Sequence, residues 1–271
     1  MVKPTIDRAF DDWKEREALA EAMIPLIGKL YRRNVVLYMH GVPLFNESVI
    51  EIMRIHRRVR QIEKNELSEF ETHPMIAVLA ELDLAPAHVD IGKLASAFMT
   101  DPEGQTLEDY VKAACADLLS AESAVSHPPR DVVIYGFGRI GRLVMRLLVE
   151  KAGGGQNLVP RAVVLRPPKD PVKDLHKRAS LMRRDSIHGP FRGTIRVDAE
   201  HQAIICNGNA IRFIYATDPG AIDYTVYGIQ DALIVDSTGA WRDIDGLGRH
   251  LTSKGVSKIL LTTSGKGEMK N

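Results

Sequence analysis

The chain has 271 residues, of which 45% are hydrophobic and 26% charged, and its formal net charge is +1. That balance suits two packed globular domains and excludes wholesale disorder. A charge so close to zero supplies no global pull toward nucleic acid or an anionic membrane, so neither is expected as a partner.

The two cysteines, Cys115 and Cys206, stand far apart and in no metal-type spacing. Neither a disulfide framework nor a metal site is expected, and a reducing compartment fits. No apolar run approaches the ~20 residues a membrane-spanning helix needs. The opening MVKPTIDRAFDDWKERE turns acidic at once, unlike a signal peptide. These features predict a cytoplasmic protein.

In chain order, the first half reads as helices. Thr5 to Leu30 is rich in Ala, Leu, Glu and Lys. Asn46 is placed to cap a helix through ESVIEIMRIHRRVRQIEKNEL, where Ile52, Ile55, Val59 and Ile62 recur near a 3.6 period. Arg54, Arg57 and Arg58 fall on its other face. A charged face on an amphipathic helix is ordinarily solvated, so these arginines are read as surface rather than as a phosphate or nucleic-acid site. Pro74 suits a first helical turn before MIAVLAEL. Asp90 is placed to cap IGKLASAFM, and Thr106 to cap LEDYVKAACADLL. SHPPRD, Ser126 to Asp131, reads as a linker, because consecutive prolines favour extended chain. The expected division is 1–126, an all-α domain, and 127–271, an α/β domain.

After the linker the pattern alternates. DVVIYGFG reads as a strand entering a glycine turn, RIGRLVMRLLVEKA as a helix, GGGQNLVP as a loop and RAVVLRPP as a second strand. GTIRV, AIIC and AIRFIY are short strands, the last two flanking an Asn207-Gly208 hairpin turn. ALIVDSTG is a strand, WRDIDGLGRHLTSKG a helix and VSKILLTT a strand. The alternation predicts a mostly parallel sheet of Rossmann type with helices on its faces.

Gly136, Gly138 and Gly141 form G-x-G-x-x-G after a strand and at a helix start. The first glycine permits the tight turn, the second lets the backbone approach a pyrophosphate, and the third lets helix pack on strand. The helix start then offers free N–H groups to phosphates. The acidic residue that usually reads the adenosine ribose, about 20 positions on, is absent. The second strand ends Leu165, Arg166, Pro167, Pro168. An arginine there meets a 2′-phosphate or is simply a solvated loop residue, so NAD and NADP both stay open.

The motifs GFGRIGR, RRDSIHGPFRGTI, CNGNAI, ATDPGAIDY, VDSTGAW and KILLTTSGKG occur in the order seen in glyceraldehyde-3-phosphate dehydrogenase. Val132 to Asn271 resembles that family, and the first half looks like the helical extension of a long bacterial form. The resemblance implies cofactor-binding roles for Gly136, Phe137, Gly138, Arg139, Ile140 and Gly141 in the pyrophosphate turn. It places Arg166 and Pro167 at the ribose-reading position, where the family usually has Asn-Asp. Thr217 stands where the family often has an arginine near the adenine. Ser237, Thr238 and Gly239 close the adenosine pocket, Trp241 lies beside the adenine, and Thr262 lines the cofactor path.

The family's nucleophilic cysteine lies in S-C-T-T-N, beyond the point matching Thr263. The resemblance therefore implies a fragment truncated before that cysteine, with no catalytic residue in this chain and cofactor binding at best. Cys115, Cys206 and His188 read as core, core and turn residues. The activity implied for the parent protein is NAD(P)-dependent oxidation of glyceraldehyde 3-phosphate to 1,3-bisphosphoglycerate, in a homotetramer, with a phosphorylated aldehyde as substrate. Erythrose-4-phosphate dehydrogenase and a non-catalytic NAD(P)-responsive binding module are the alternatives. An open sheet edge would also make the isolated chain poorly soluble.

Overall fold

A computed structural model describes residues 6–63, 67–100, 104–119, 129–151 and 158–267. The described residues before 127 form one compact unit and those after it another.

In the first unit, α1 (Ile6–Arg32) is followed by a hairpin of β1 (Val35–Met39) and β2 (Val42–Pro43). Then come α2 (Val49–Glu63), α3 (Glu69–Glu81), β3 (Ala87–Asp90), α4 (Ile91–Thr100), α5 (Leu107–Ala114) and α6 (Ala116–Leu119). The expected helices are there, but the unit is not all-α. β1 pairs parallel with β3 and antiparallel with β2 in a three-stranded sheet. VVLYM is a β-branched and aromatic run too short to show a period, bounded by Asn34 and His40-Gly41 at positive φ. Ala20, Met23, Ile27 and Leu30 of α1 pack with Leu37, Ile52, Ile76 and Leu79 in its core.

Two helix starts differ from expectation. Asn46 sits at φ 58 in the preceding turn, and the Ser48 hydroxyl accepts from the Glu51 N–H instead. Pro74 lies inside α3, which starts five residues earlier at a capping box. The Glu71 carboxylate accepts from the Ser68 N–H, and the Ser68 hydroxyl accepts from the Phe70 N–H. Asp90 and Thr106 do cap α4 and α5, accepting from the N–H groups of Lys93 and Asp109. Ile52, Ile55 and Val59 are buried while Arg54, Arg57 and Arg58 are exposed. The side chain of Ile62 and residues 126–128 of the linker lie outside the description, and Arg130 and Asp131 already belong to a strand.

The second unit runs β4 (Arg130–Tyr135), α7 (Arg139–Lys151), β5 (Leu158–Leu165) and α8 (Pro171–Arg183). A small ribbon of β6 (Arg184–Asp185) and β7 (Gly189–Pro190) follows. The unit continues with β8 (Ile195–Asp198), β9 (Ala203–Cys206), β10 (Asn209–Tyr215), β11 (Ala232–Asp236), α9 (Ile244–Leu251) and β12 (Val256–Leu261). Seven strands form one sheet in the order β12-β11-β4-β5-β10-β9-β8. The first five are parallel, and β10, β9 and β8 are antiparallel. The β9–β10 turn is Asn207-Gly208, with φ 46 and 82.

Successive residues of β4 feed opposite faces of the sheet. Val132 and Ile134 pack with Met145 and Val149 of α7 and with Leu175, Ala179 and Met182 of α8. Val133 and Tyr135 pack with Ala162, Val164, Tyr224 and Ile234. β4 has β5 on one side and β11 on the other, so the chain leaves β4 in one direction and returns on the opposite side. The crevice beyond the C-terminal end of β4 is therefore the topological switch point, where open α/β sheets bind ligands.

Candidate functional site

The turn after β4 begins at Gly136, whose N–H donates to the Val164 carbonyl at 2.9 Å and whose φ of 92 favours glycine. Its neighbour across the switch point is the turn after β11. There the Ser237 N–H donates to the Tyr135 carbonyl at 2.9 Å, and the Ser237 hydroxyl donates to the Gly136 carbonyl at 2.9 Å. A Cβ on Gly136 would come within 2.7 Å of Thr238 Cγ2, so the two turns are fitted to each other. Gly141, one turn into α7, is packed equally tightly, since a Cβ there would meet the Gly136 carbonyl oxygen at 2.4 Å. Gly138, at the mouth of the turn, has no heavy atom within 4 Å of the place a Cβ would take. Tight packing at the first and third glycines and open space at the second suit backbone approach by a diphosphate. The first N–H groups of α7 have no partner within the helix and face the same space.

A pocket of about 340 Å³ opens beside this turn, lined from β4 and β5 by Tyr135, Gly136, Val164, Leu165 and Arg166, from α8 by Arg178, and from the later turns by Ala216, Thr217, Thr238, Ala240 and Trp241. Trp241 carries the Arg249 guanidinium over its ring at 5.0 Å, and Arg249 is paired with Asp218 at 2.9 Å. Buried Asp236, the last residue of β11, holds the floor. Its Oδ1 accepts from the Thr238 N–H and hydroxyl, both at 2.7 Å, and its Oδ2 lies 3.1 Å from His250 Nε2. Burial, reinforced by Asp236 and Asp218, pushes the Tyr135 phenol up to about 12, so it lines the pocket as a neutral group.

The remaining residues singled out in the sequence take varied places. Phe137 turns its side chain into the core, edge-on to Phe213 at 5.5 Å, and leaves only its backbone to the turn. Arg139 donates to the Ser186 hydroxyl at 3.0 Å and lies 3.7 Å from Asp185, so the β6–β7 loop holds its guanidinium. Ile140 and Pro167 are exposed, and Gly239 turns the chain at φ 67. Thr262 donates both its N–H and its hydroxyl to the Asp236 carbonyl, which ties β12 to β11. His188 belongs to the β6–β7 turn, where Asp185 accepts from the N–H groups of Ile187 and His188 and faces His188 Nδ1 at 2.9 Å. Those bonds hold the Asp185 carboxyl well below the usual range.

Arg178 is the charged pocket residue that the sequence reading missed, because α8 was missed; Tyr135, Val164, Leu165, Ala216 and Ala240 line the pocket without having been singled out. The signal was present: Asp170 caps the helix, Pro171 occupies its first turn, and Leu175, Ala179 and Met182 recur on one face. None of the lining side chains is a cysteine, histidine, lysine or carboxylate. Arg166 and Arg178 give the pocket positive charge, and Tyr135 and Trp241 give it ring faces, a lining that suits an anionic, ring-bearing ligand.

Residues 130–244 match the family described as glyceraldehyde 3-phosphate dehydrogenase, NAD binding domain. A "Glyceraldehyde-3-phosphate dehydrogenase-like protein" of Pseudomonas aeruginosa (strain UCBPP-PA14) is 51% identical over 252 residues, which is 92% of this chain and 54% of that protein. Residues 130–244 are thus a domain of the glyceraldehyde-3-phosphate dehydrogenase NAD-binding type. Named glyceraldehyde-3-phosphate dehydrogenases of Ajellomyces capsulatus and Drosophila melanogaster are 35% and 37% identical over 131 and 129 residues, each 48% of this chain. The chain spans about half the length of the Pseudomonas relative and about a third of the fungal and fly ones (54%, 35% and 34%). In this dehydrogenase-family domain the glycine turn, the switch-point pocket and the residues facing it fit a nicotinamide dinucleotide. No helix among the described residues is long and apolar enough to cross a membrane, and no cluster of three metal-ligating side chains occurs among them.

Proposed function

We propose that this chain binds NAD or NADP at the switch-point pocket and carries out no hydride transfer unaided. The observation that carries the reading is the glycine turn itself, closed at Gly136 and Gly141 and open at Gly138. The pyrophosphate lies against the turn and the start of α7, and the adenosine half lies among Arg166, Thr217, Thr238 and Trp241. Bound there, the dinucleotide supplies a hydride acceptor. The chain's own nucleophile candidates do not serve it, because Cys115 and Cys206 are both buried and burial pushes both thiols up.

For the whole protein we propose oxidation of glyceraldehyde 3-phosphate to 1,3-bisphosphoglycerate with inorganic phosphate, in a homotetrameric, cytoplasmic enzyme, a reading that the names of the relatives support. Calorimetric titration of the 271-residue chain with NAD⁺ and with NADP⁺ tests the binding. Saturable binding of at least one is expected, and failure of both rules out the pocket assignment. Supplied with glyceraldehyde 3-phosphate and phosphate, the same chain should form no reduced nicotinamide; steady formation would show that it holds a working nucleophile.

A further inference from the structure

We propose that the pocket selects the 2′-phosphorylated dinucleotide, NADP(H), over NAD(H), with Arg166 and Arg178 gripping the ribose phosphate from two sides. The proposal rests on the assignment of this pocket to a dinucleotide and adds the class of dinucleotide it takes.

A nucleotide whose pyrophosphate lies at the turn after β4 places its adenosine ribose at the end of the neighbouring strand, here β5. An unphosphorylated ribose is held there by a carboxylate that accepts from its hydroxyls. No carboxylate lines this pocket, and its charged lining side chains are Arg166 and Arg178. Arg166 is the first residue after β5 and is exposed. Pro167 and Pro168 follow it, so neither offers an N–H to a ribose hydroxyl, and both fix the backbone beneath Arg166.

Arg178 arrives from α8, a separate element anchored in the core by Leu175, Ala179 and Met182. Asp174 accepts from its Nε with both carboxylate oxygens, at 3.1 and 3.3 Å. That contact fixes the plane of the guanidinium and leaves its two terminal nitrogens for the pocket. A third guanidinium, that of Arg142, lies close enough to Arg178 to feel its charge. Burial holds the Arg142 guanidinium below its usual value, and repulsion from Arg178 adds to the effect. A phosphate dianion between Arg166 and Arg178 is met by planar forks that suit its oxygens. A bare ribose offers those forks only hydroxyls.

The test is calorimetric titration of the full chain with NADP⁺ and NAD⁺ at one fixed salt concentration, for the wild type, Arg166→Gln and Arg178→Gln. NADP⁺ is expected to bind at least about tenfold more tightly than NAD⁺, as one charge-assisted contact commonly supplies. Each variant should lose about tenfold more affinity for NADP⁺ than for NAD⁺. Arg166→Asp, an exposed change that leaves the core untouched, should reverse the preference. Equal or tighter binding of NAD⁺ by the wild type, or equal losses for both cofactors in the variants, overturns the selectivity while leaving the site intact. Failure of both cofactors to bind the wild type overturns the site and the selectivity with it.

Discussion

The hydroxyl of Ser237 donates to the carbonyl oxygen of Gly136 across 2.9 Å, joining the turn after β11 to the turn after β4. These two turns flank the switch point, so the shape of the pocket mouth depends on their being held together. Replacing Ser237 with Ala removes the donor from a half-buried acceptor. A loss of about 1 kcal/mol in chemical denaturation is expected. Dinucleotide affinity should weaken with it, because the Gly136 backbone is then free to shift. A loss of stability with unchanged affinity would show that the link holds the fold and not the ligand.

Gly138 and Gly141 should respond oppositely to the same substitution. In Gly141→Ala the new methyl meets the Gly136 carbonyl oxygen at 2.4 Å and Ser237 Oγ at 2.6 Å. Neither can withdraw without opening the turn, so a destabilisation of roughly 1–3 kcal/mol follows. In Gly138→Ala the methyl meets nothing within 4 Å. Stability should then change by no more than about 0.5 kcal/mol, while dinucleotide binding falls sharply because the methyl occupies the approach of the phosphates. Thermal melts and titrations of the two variants check the pair. A destabilised Gly138→Ala that still binds dinucleotide at wild-type affinity would mean the ligand does not approach there.

Apart from α8 and the β6–β7 ribbon, the second unit was legible in its sequence because its strands and helices carry strong punctuation. The glycine turn and Asn207-Gly208 each mark an element boundary by local chemistry, whereas the helix read from Trp241 starts only after Asp243, which caps it. The first unit's sheet was not legible. β1 has no alternation, being buried along nearly its whole length, and its parallel partner β3 lies beyond two intervening helices. Only tertiary pairing makes AHVD a strand. Within the site, the turn residues were readable as a motif, whereas Arg178 reaches the pocket from α8 and its role depends on how that helix packs. Phe137 shows the converse limit. It lies within the motif, yet the hydrophobicity of its ring, which packs on Phe213, takes it into the core.

An acid-sensitive core is expected in the first unit. His56 is buried, with Nδ1 2.8 Å from the Ile52 carbonyl oxygen and Nε2 2.8 Å from the Thr72 hydroxyl. Burial lowers its pKa, against the attraction of Glu69. A histidine whose folded pKa is lowered contributes stability that is complete above the unfolded value, about 6.5, and is lost as pH falls below it. The full chain should therefore melt at progressively lower temperature from about pH 7 downward. His56→Gln, which keeps a polar side chain but cannot take up that proton, should flatten the slope. An unchanged slope in the variant would place the acid sensitivity elsewhere.

Both thiols should be inert in the native protein. Cys206 packs its sulfur 3.8 Å from the sulfur of Met182, and burial pushes the thiol up to about 12. Cys115, buried at the end of α5, is raised for the same reason. At about pH 8, on the order of one Cys206 thiol in ten thousand is the reactive thiolate. Iodoacetamide should label neither cysteine in the folded chain and both after denaturation, as read by mass spectrometry. The alkaline side follows from the same shift. The folded pKa lies above the unfolded value of about 8.5, so this contribution to stability is complete below that value and is lost as pH rises toward the folded one. Rapid labelling of native Cys206 would reveal a thiolate where burial forbids one. It would also remove the basis for expecting no turnover from this chain.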